Sequence, residues 1–194
     1  MKILKLLGLL TFTTGFALKL FHVHYNAYIM MGALVLILVA AIIDLIKQKN
    51  LEFLGVFVVL TAFLFTIKFY PYNYPLGIIG LIVGVGIGIF YMWKKKSRLV
   101  ILGSTAFLCM AFAMPKDELY FNMNIRLNQE LDTDLYSGDK YCWFLFNAGK
   151  TEESMERCQE NLIKAKQLED DHWVAIIEEH MRKIRSNTWQ NYSH

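Results

Sequence analysis

The first 115 residues consist of long apolar runs broken only by short basic or aromatic punctuation. Five runs stand out, at 3–21, 28–46, 53–69, 76–93 and 99–114, each 16 to 19 residues long. That is the short end of the roughly 17–25 residues a helix needs to cross the hydrocarbon core. The runs lack the polar stripe that a helix half-exposed to water requires, so the pattern predicts five transmembrane helices. The first and second, and the third and fourth, form hairpins joined by short aromatic turns; the fifth is the shortest and stops at Pro115. Beyond Pro115 the pattern becomes amphipathic. Helical periodicity is expected over 117–131, 154–168 and 171–185, with inward stripes at Met155, Leu162, Ala165 and Leu168 and at Trp173, Ile176, Ile177, His180 and Ile184. The expected fold is all-α: a polytopic membrane domain over 1–115, followed by a small helical extracytoplasmic domain over 116–194.

Charge refines this division. The 194 residues are 55% hydrophobic and 19% charged, with a mean hydropathy of +0.33, against about 45–50% and about 25% for soluble domains. Disorder and an ordinary soluble globule are both disfavoured. The net charge of +3 is a difference: residues 1–114 carry +8, with acids only at Asp44 and Glu52, and the remainder carries −5. If the helices alternate, Lys2, Lys5, Lys47, Lys49, Lys94, Lys95, Lys96 and Arg98 share one side, which the positive-inside rule makes cytoplasmic. Only Lys19 and Lys68 stand at the opposite ends, where they can snorkel. An odd number of spans places the C-terminal domain outside the cytoplasm, in a bacterial inner membrane facing the periplasm. The first run has no small-x-small site before Lys19, which favours a retained helix over a cleaved signal. Lys94, Lys95, Lys96 and Arg98 fix topology and suit anionic lipid headgroups. The acidic tail disfavours nucleic acid.

Cys142 and Cys158 fall in the tail, where an oxidising compartment favours a disulfide between them. Cys109, inside the fifth run, reads as a small apolar packing residue. Gly149 is a natural stop between the two cysteine-bearing helices, and Thr151 with Glu152 and Glu153 opens the second. The order from Cys142 to Leu168 resembles a tetratricopeptide-type helical hairpin, taken as about 139–168. It carries Asn161 where that pattern has a small residue, and no Pro after Leu168. The resemblance implies a protein-binding surface.

In the membrane part, Gly80, Gly84 and Gly88 form overlapping small-xxx-small motifs, a face for close helix packing within the chain or against another copy. Lys19, His22 and Lys68 are candidates for an ion or lipid site or a gate. His22 and His24 lack the further ligands a metal site needs. Asp44 is placed either to pair with Lys47 or to meet the cytoplasmic interface, and would matter mechanistically only if it faced a bundle interior. The two hairpins look like variants of one unit: an apolar helix, a Lys at its outer end, an aromatic turn containing Tyr25-Asn26 or Tyr72-Asn73, and a glycine early in the return helix. Lys19-x-x-His22, Asn26 and Gly32 resemble the transmembrane hairpin of the gliding-motility and type IX secretion membrane subunits (GldL/PorL type) of Bacteroidota. The chain lacks that family's Trp-Pro-Gly turn and intramembrane glutamate, so the resemblance implies a bacterial inner-membrane protein and no proton-driven motor.

No Gly-x-Ser-x-Gly, phosphate loop or His-Glu-x-x-His occurs. The expectation is a non-enzymatic membrane subunit or scaffold without metal or cofactor, binding lipid and other membrane or periplasmic subunits, with self-association as a further option. The alternative is a small channel or transporter using the residues at the outer ends of spans 1 and 3.

Overall fold

The computed structural model describes residues 2–21, 23, 25–70, 72–93, 99–126 and 134–189. These are helical throughout, with no strand among them. They divide into two compact units, Met1–Met114 and Pro115–His194.

The first unit contains α1 (Lys2–Leu20), α2 (Asn26–Gln48), α3 (Glu52–Ile67), α4 (Asn73–Trp93) and α5 (Leu99–Ala113). Three of these, α1, α2 and α4, are long and apolar enough to cross a membrane; a fourth is reached if α5 is counted with the helix that follows it. At 1.5 Å per residue, the 16 residues of α3 and 15 of α5 span only about 24 and 22 Å. The helices stand where the five apolar runs predict helix, but two are short of the roughly 30 Å core. α3 is also the innermost helix: eleven of its residues are buried, and it packs on α2, α4 and α5.

Small residues let these helices approach closely. A Cβ on Gly8 would stand 2.8 Å from Ile37, and one on Gly15 2.6 Å from Met30, so α1 lies directly on α2. Both hairpins turn on a tyrosine in the left-handed region, Tyr25 at φ 66° and Tyr72 at φ 63°, each followed by the asparagine that opens the return helix. The two turns therefore share a backbone conformation at the tyrosine. The glycines after it are not equivalent, since Gly32 faces open space while Gly77 and Gly80 are buried.

The second unit begins with α6 (Lys116–Tyr120), which continues as a π-helical turn, Phe121–Ile125. Of the helix expected over 117–131, residues 127–133 lie outside the described residues. Then come α7 (Leu135–Asn147), α8 (Thr151–Gln167) and α9 (Asp171–Arg185). Asp134 caps α7 through Ser137 N, and Asp170 caps α9 through Trp173 N. Gly149, at φ 79°, ends α7 with paired bonds from Gly149 N to Phe146 O and from Lys150 N to Leu145 O, the arrangement glycine permits at a helix C-terminus. The core gathers Leu135, Cys142, Cys158, Ala165, Ile177 and Ile184 under Trp189. Leu168, expected in the inward stripe, is half exposed because it caps α8, where the helical period ends.

Candidate functional site

The glycine face of α4 is used within the chain. Gly80, Gly84 and Gly88 are buried. A Cβ on Gly80 would meet Ala62 of α3 at 2.6 Å and Leu108 of α5 at 2.8 Å; on Gly84 it would collide with Thr105 and approach Val59 at 2.9 Å; on Gly88 it would meet Leu102 at 3.0 Å. Two neighbours, α3 and α5, thus share one smooth face. Gly86 points outward into open space.

At one end of the bundle α1, α2 and α3 bring cations together. Lys19 continues the buried stripe Gly8, Phe12 and Gly15 of α1 and is itself only 5% exposed, so it does not snorkel outward. Lys68 follows α3, is half-buried, and donates from Nζ to Asn26 Oδ1 at 2.5 Å, across the two hairpins. The two ammonium groups lie within Coulombic reach of each other. His22, His24 and the cluster Lys94, Lys95, Lys96 and Arg98 lie outside the described residues.

The other end holds the unit's two acids. Asp44 faces the bundle interior, fully buried, and forms an ion pair with Lys5 of α1. The pairing with Lys47 is thereby corrected: Asp44 is answered by Lys5 from α1, and Lys47 is exposed. Lys5 also lies 4.5 Å from the Phe53 ring centre. Beside this pair, Tyr91 Oη donates to Asn50 Oδ1 at 2.8 Å and accepts from Leu51 N at 2.9 Å, tying α4 to the α2–α3 turn. Glu52 is buried in the first turn of α3.

In the C-terminal unit, α7 and α8 face each other across Cys142 and Cys158, both fully buried. They are free thiols here, in hydrogen-bonding contact, and Cys142 Sγ also donates to Gly138 O at 3.3 Å. The two side chains adjoin, which is the juxtaposition that the expected disulfide needs. Burial, together with the adjoining Cys158, holds the Cys142 thiol well above its ordinary range, so it is neutral at pH 7 and a poor nucleophile. Cys109 is exposed on α5 and is not the packing residue the sequence suggested; the apolar run of α5 gives no sign of which side faces inward.

The sequence reading missed the polar lock between α7 and α9. His180 Nδ1 bonds both Asp139 oxygens, at 3.0 and 2.9 Å, and its ring stacks on Trp189 at 4.3 Å. All three residues are buried. The available signal was a histidine within an apolar stripe; its partner, 41 positions away, gave none. Asn161 also finds its explanation here. It packs against Gly138, where a Cβ would stand 2.6 Å from its Oδ1, and donates from Nδ2 to Leu135 O at 2.9 Å. The missing side chain on α7 makes room for the larger one on α8. Ser154 Oγ donates to Cys142 O at 2.7 Å. Lys150 bonds buried Asp117 at 2.8 Å, which raises the lysine's pKa and ties α6 to the α7–α8 turn.

No group of three or more metal-ligating side chains occurs among the described residues. Compared with protein-family models, curated proteins and solved structures, the chain matches none.

Proposed function

We propose that this protein is a non-enzymatic integral membrane subunit or scaffold of a larger bacterial inner-membrane complex, with a helical C-terminal domain that binds a protein partner in the periplasm. The observation that carries the reading is how the C-terminal unit spends its buried polar groups. Asp139–His180, Asn161–Leu135 O and Ser154–Cys142 O each fasten one helix to another. Such bonds rigidify a core, and what the unit offers is then its outer surface. In this reading α3 and α5 are the third and fifth spans, their shortness met by local bilayer thinning and by burial among neighbours. The basic residues keep the N-terminus cytoplasmic. Cys142 and Cys158 form the disulfide once an oxidising compartment supplies the oxidant. The resemblance of the first hairpin to the gliding-motility and type IX secretion subunits is consistent with a bacterial inner membrane.

The convergence of Lys19 and Lys68 favours a second reading, a small channel or transporter gated there. One preparation discriminates. The scaffold reading expects the protein, crosslinked in its native membrane and gently extracted, to carry a stoichiometric partner through the C-terminal domain, and to support no Lys19-dependent flux in proteoliposomes. Recovery of the chain always alone, or a flux abolished by Lys19→Ala in folded protein, overturns it.

A further inference from the structure

We propose that Trp189 is a latch over a redox site: Cys142 and Cys158 exchange with an external disulfide only while the segment that carries Trp189 is undocked. The inference rests on the reading in which these two thiols become a disulfide, but not on the topology or on a protein partner.

Burial sets the problem. Both cysteines are fully buried, and exchange requires an incoming disulfide to reach one of the sulfurs, so the folded core has to open somewhere. The buried core around them draws on α7, α8 and α9, and among its described members Trp189 alone lies outside a helix. The other members move only if helices separate. Trp189, 1% exposed, instead ends a stretch, 185–188, whose residues are all exposed. Undocking it disturbs the least packed surface, and such local openings cost less than unfolding the whole unit.

The position of the latch follows from α7. Asp139 precedes Cys142 by three residues and Phe146 follows it by four, so each stands one turn away along the same side of the helix. The Trp189 ring lies 6.3 Å from that of Phe146 and 4.3 Å from that of His180, and His180 is bonded to Asp139. Trp189 therefore spans the turn of α7 that carries Cys142. Asn187, at φ 55°, turns the chain back at the end of α9 to bring it there.

The same opening supplies both access and reactivity. While the latch is closed, burial, the adjoining Cys158 and the charge of Asp139 hold the Cys142 thiol above its ordinary range. Undocking admits water, and the thiolate, the reactive species, can form. One thiol loses its proton to solvent and attacks an external disulfide, forming a mixed disulfide and expelling one thiolate. The second thiol, deprotonated in turn, attacks the protein sulfur of that mixed disulfide, closes the Cys142–Cys158 bond and expels the other thiolate. Two protein thiols are oxidised, one external disulfide is reduced to two thiols, and the protons pass through solvent to the leaving groups.

The test uses the full chain with Cys109→Ser, reduced, in neutral detergent and mixed with glutathione disulfide. Samples are quenched in acid, and the Cys142–Cys158 bond is counted by mass spectrometry. The parent should oxidise slowly, at a rate almost unchanged by low concentrations of urea, since a local opening exposes little surface. Trp189→Ala should oxidise at least about tenfold faster, with the same flat urea dependence. Trp189→Phe, which keeps a ring between His180 and Phe146, should stay close to the parent. Equal rates for the parent and Trp189→Ala, or a rate in either that climbs steeply from zero urea as global unfolding requires, would overturn the latch. A pair that stays reduced even in Trp189→Ala would overturn the disulfide reading beneath it as well.

Discussion

Asp44 shows how one residue's meaning depends on its tertiary partner. In the sequence it is an acid near the end of an apolar run, with Lys47 and Lys49 close by. In the fold it is enclosed between helices and answered by Lys5 from α1. Removing one member of a buried ion pair leaves a charge in a poor solvent, at a cost of about 3–5 kcal/mol, whereas replacing both by apolar groups is often neutral. Lys5 keeps a fifth of its side chain exposed, which places the expected loss at the lower end. Lys5→Ala should therefore destabilise the detergent-solubilised protein by roughly 3 kcal/mol, and Lys5→Met/Asp44→Leu should recover most of that. Unfolding curves in increasing sodium dodecyl sulfate measure both; a double variant no more stable than Lys5→Ala would contradict the pairing. The same lesson applies to His180, whose apolar stripe was visible but whose Asp139 was not.

At the scale of elements, continuous apolar runs announce helices but conceal how they face. The helix positions were readable because each run is long and bounded by lysine, aromatic or proline punctuation. That α3 is the buried centre and α1 a peripheral helix was not readable, since both are apolar on every side and periodicity carries no information there. The glycine register of α4 was readable as a packing face; only the structure assigns it to α3 and α5. The closest approaches of α1, at Gly8 and Gly15, form no four-residue motif and escaped notice. The distinction between inward and outward glycines is measurable. Gly84→Ala should cost about 1–3 kcal/mol through forced displacement of Val59 and Thr105. Gly86→Ala, with nothing near its Cβ, should be neutral or slightly stabilising, because alanine is the better helix former. Equal losses for the two in the same unfolding assay would refute the packing of α4.

For the whole molecule, the change of charge at Met114 coincides with the division into Met1–Met114 and Pro115–His194. Both follow from solvent: apolar runs almost free of acids suit hydrocarbon, and an acidic, amphipathic segment needs water. The account's central claim is that these units belong to different phases, with the second outside the cytoplasm. Cys142 and Cys158 are poor reporters of this because both are buried. Ser186, exposed just beyond α9, is a better one. In a Cys109→Ser background, Ser186→Cys in intact cells with a permeabilised outer membrane should react with a membrane-impermeant maleimide, while Lys47→Cys should react only after the inner membrane is lysed. Labelling of Ser186→Cys only after lysis would contradict the topology, and with it the periplasmic role and the oxidising environment of the two thiols.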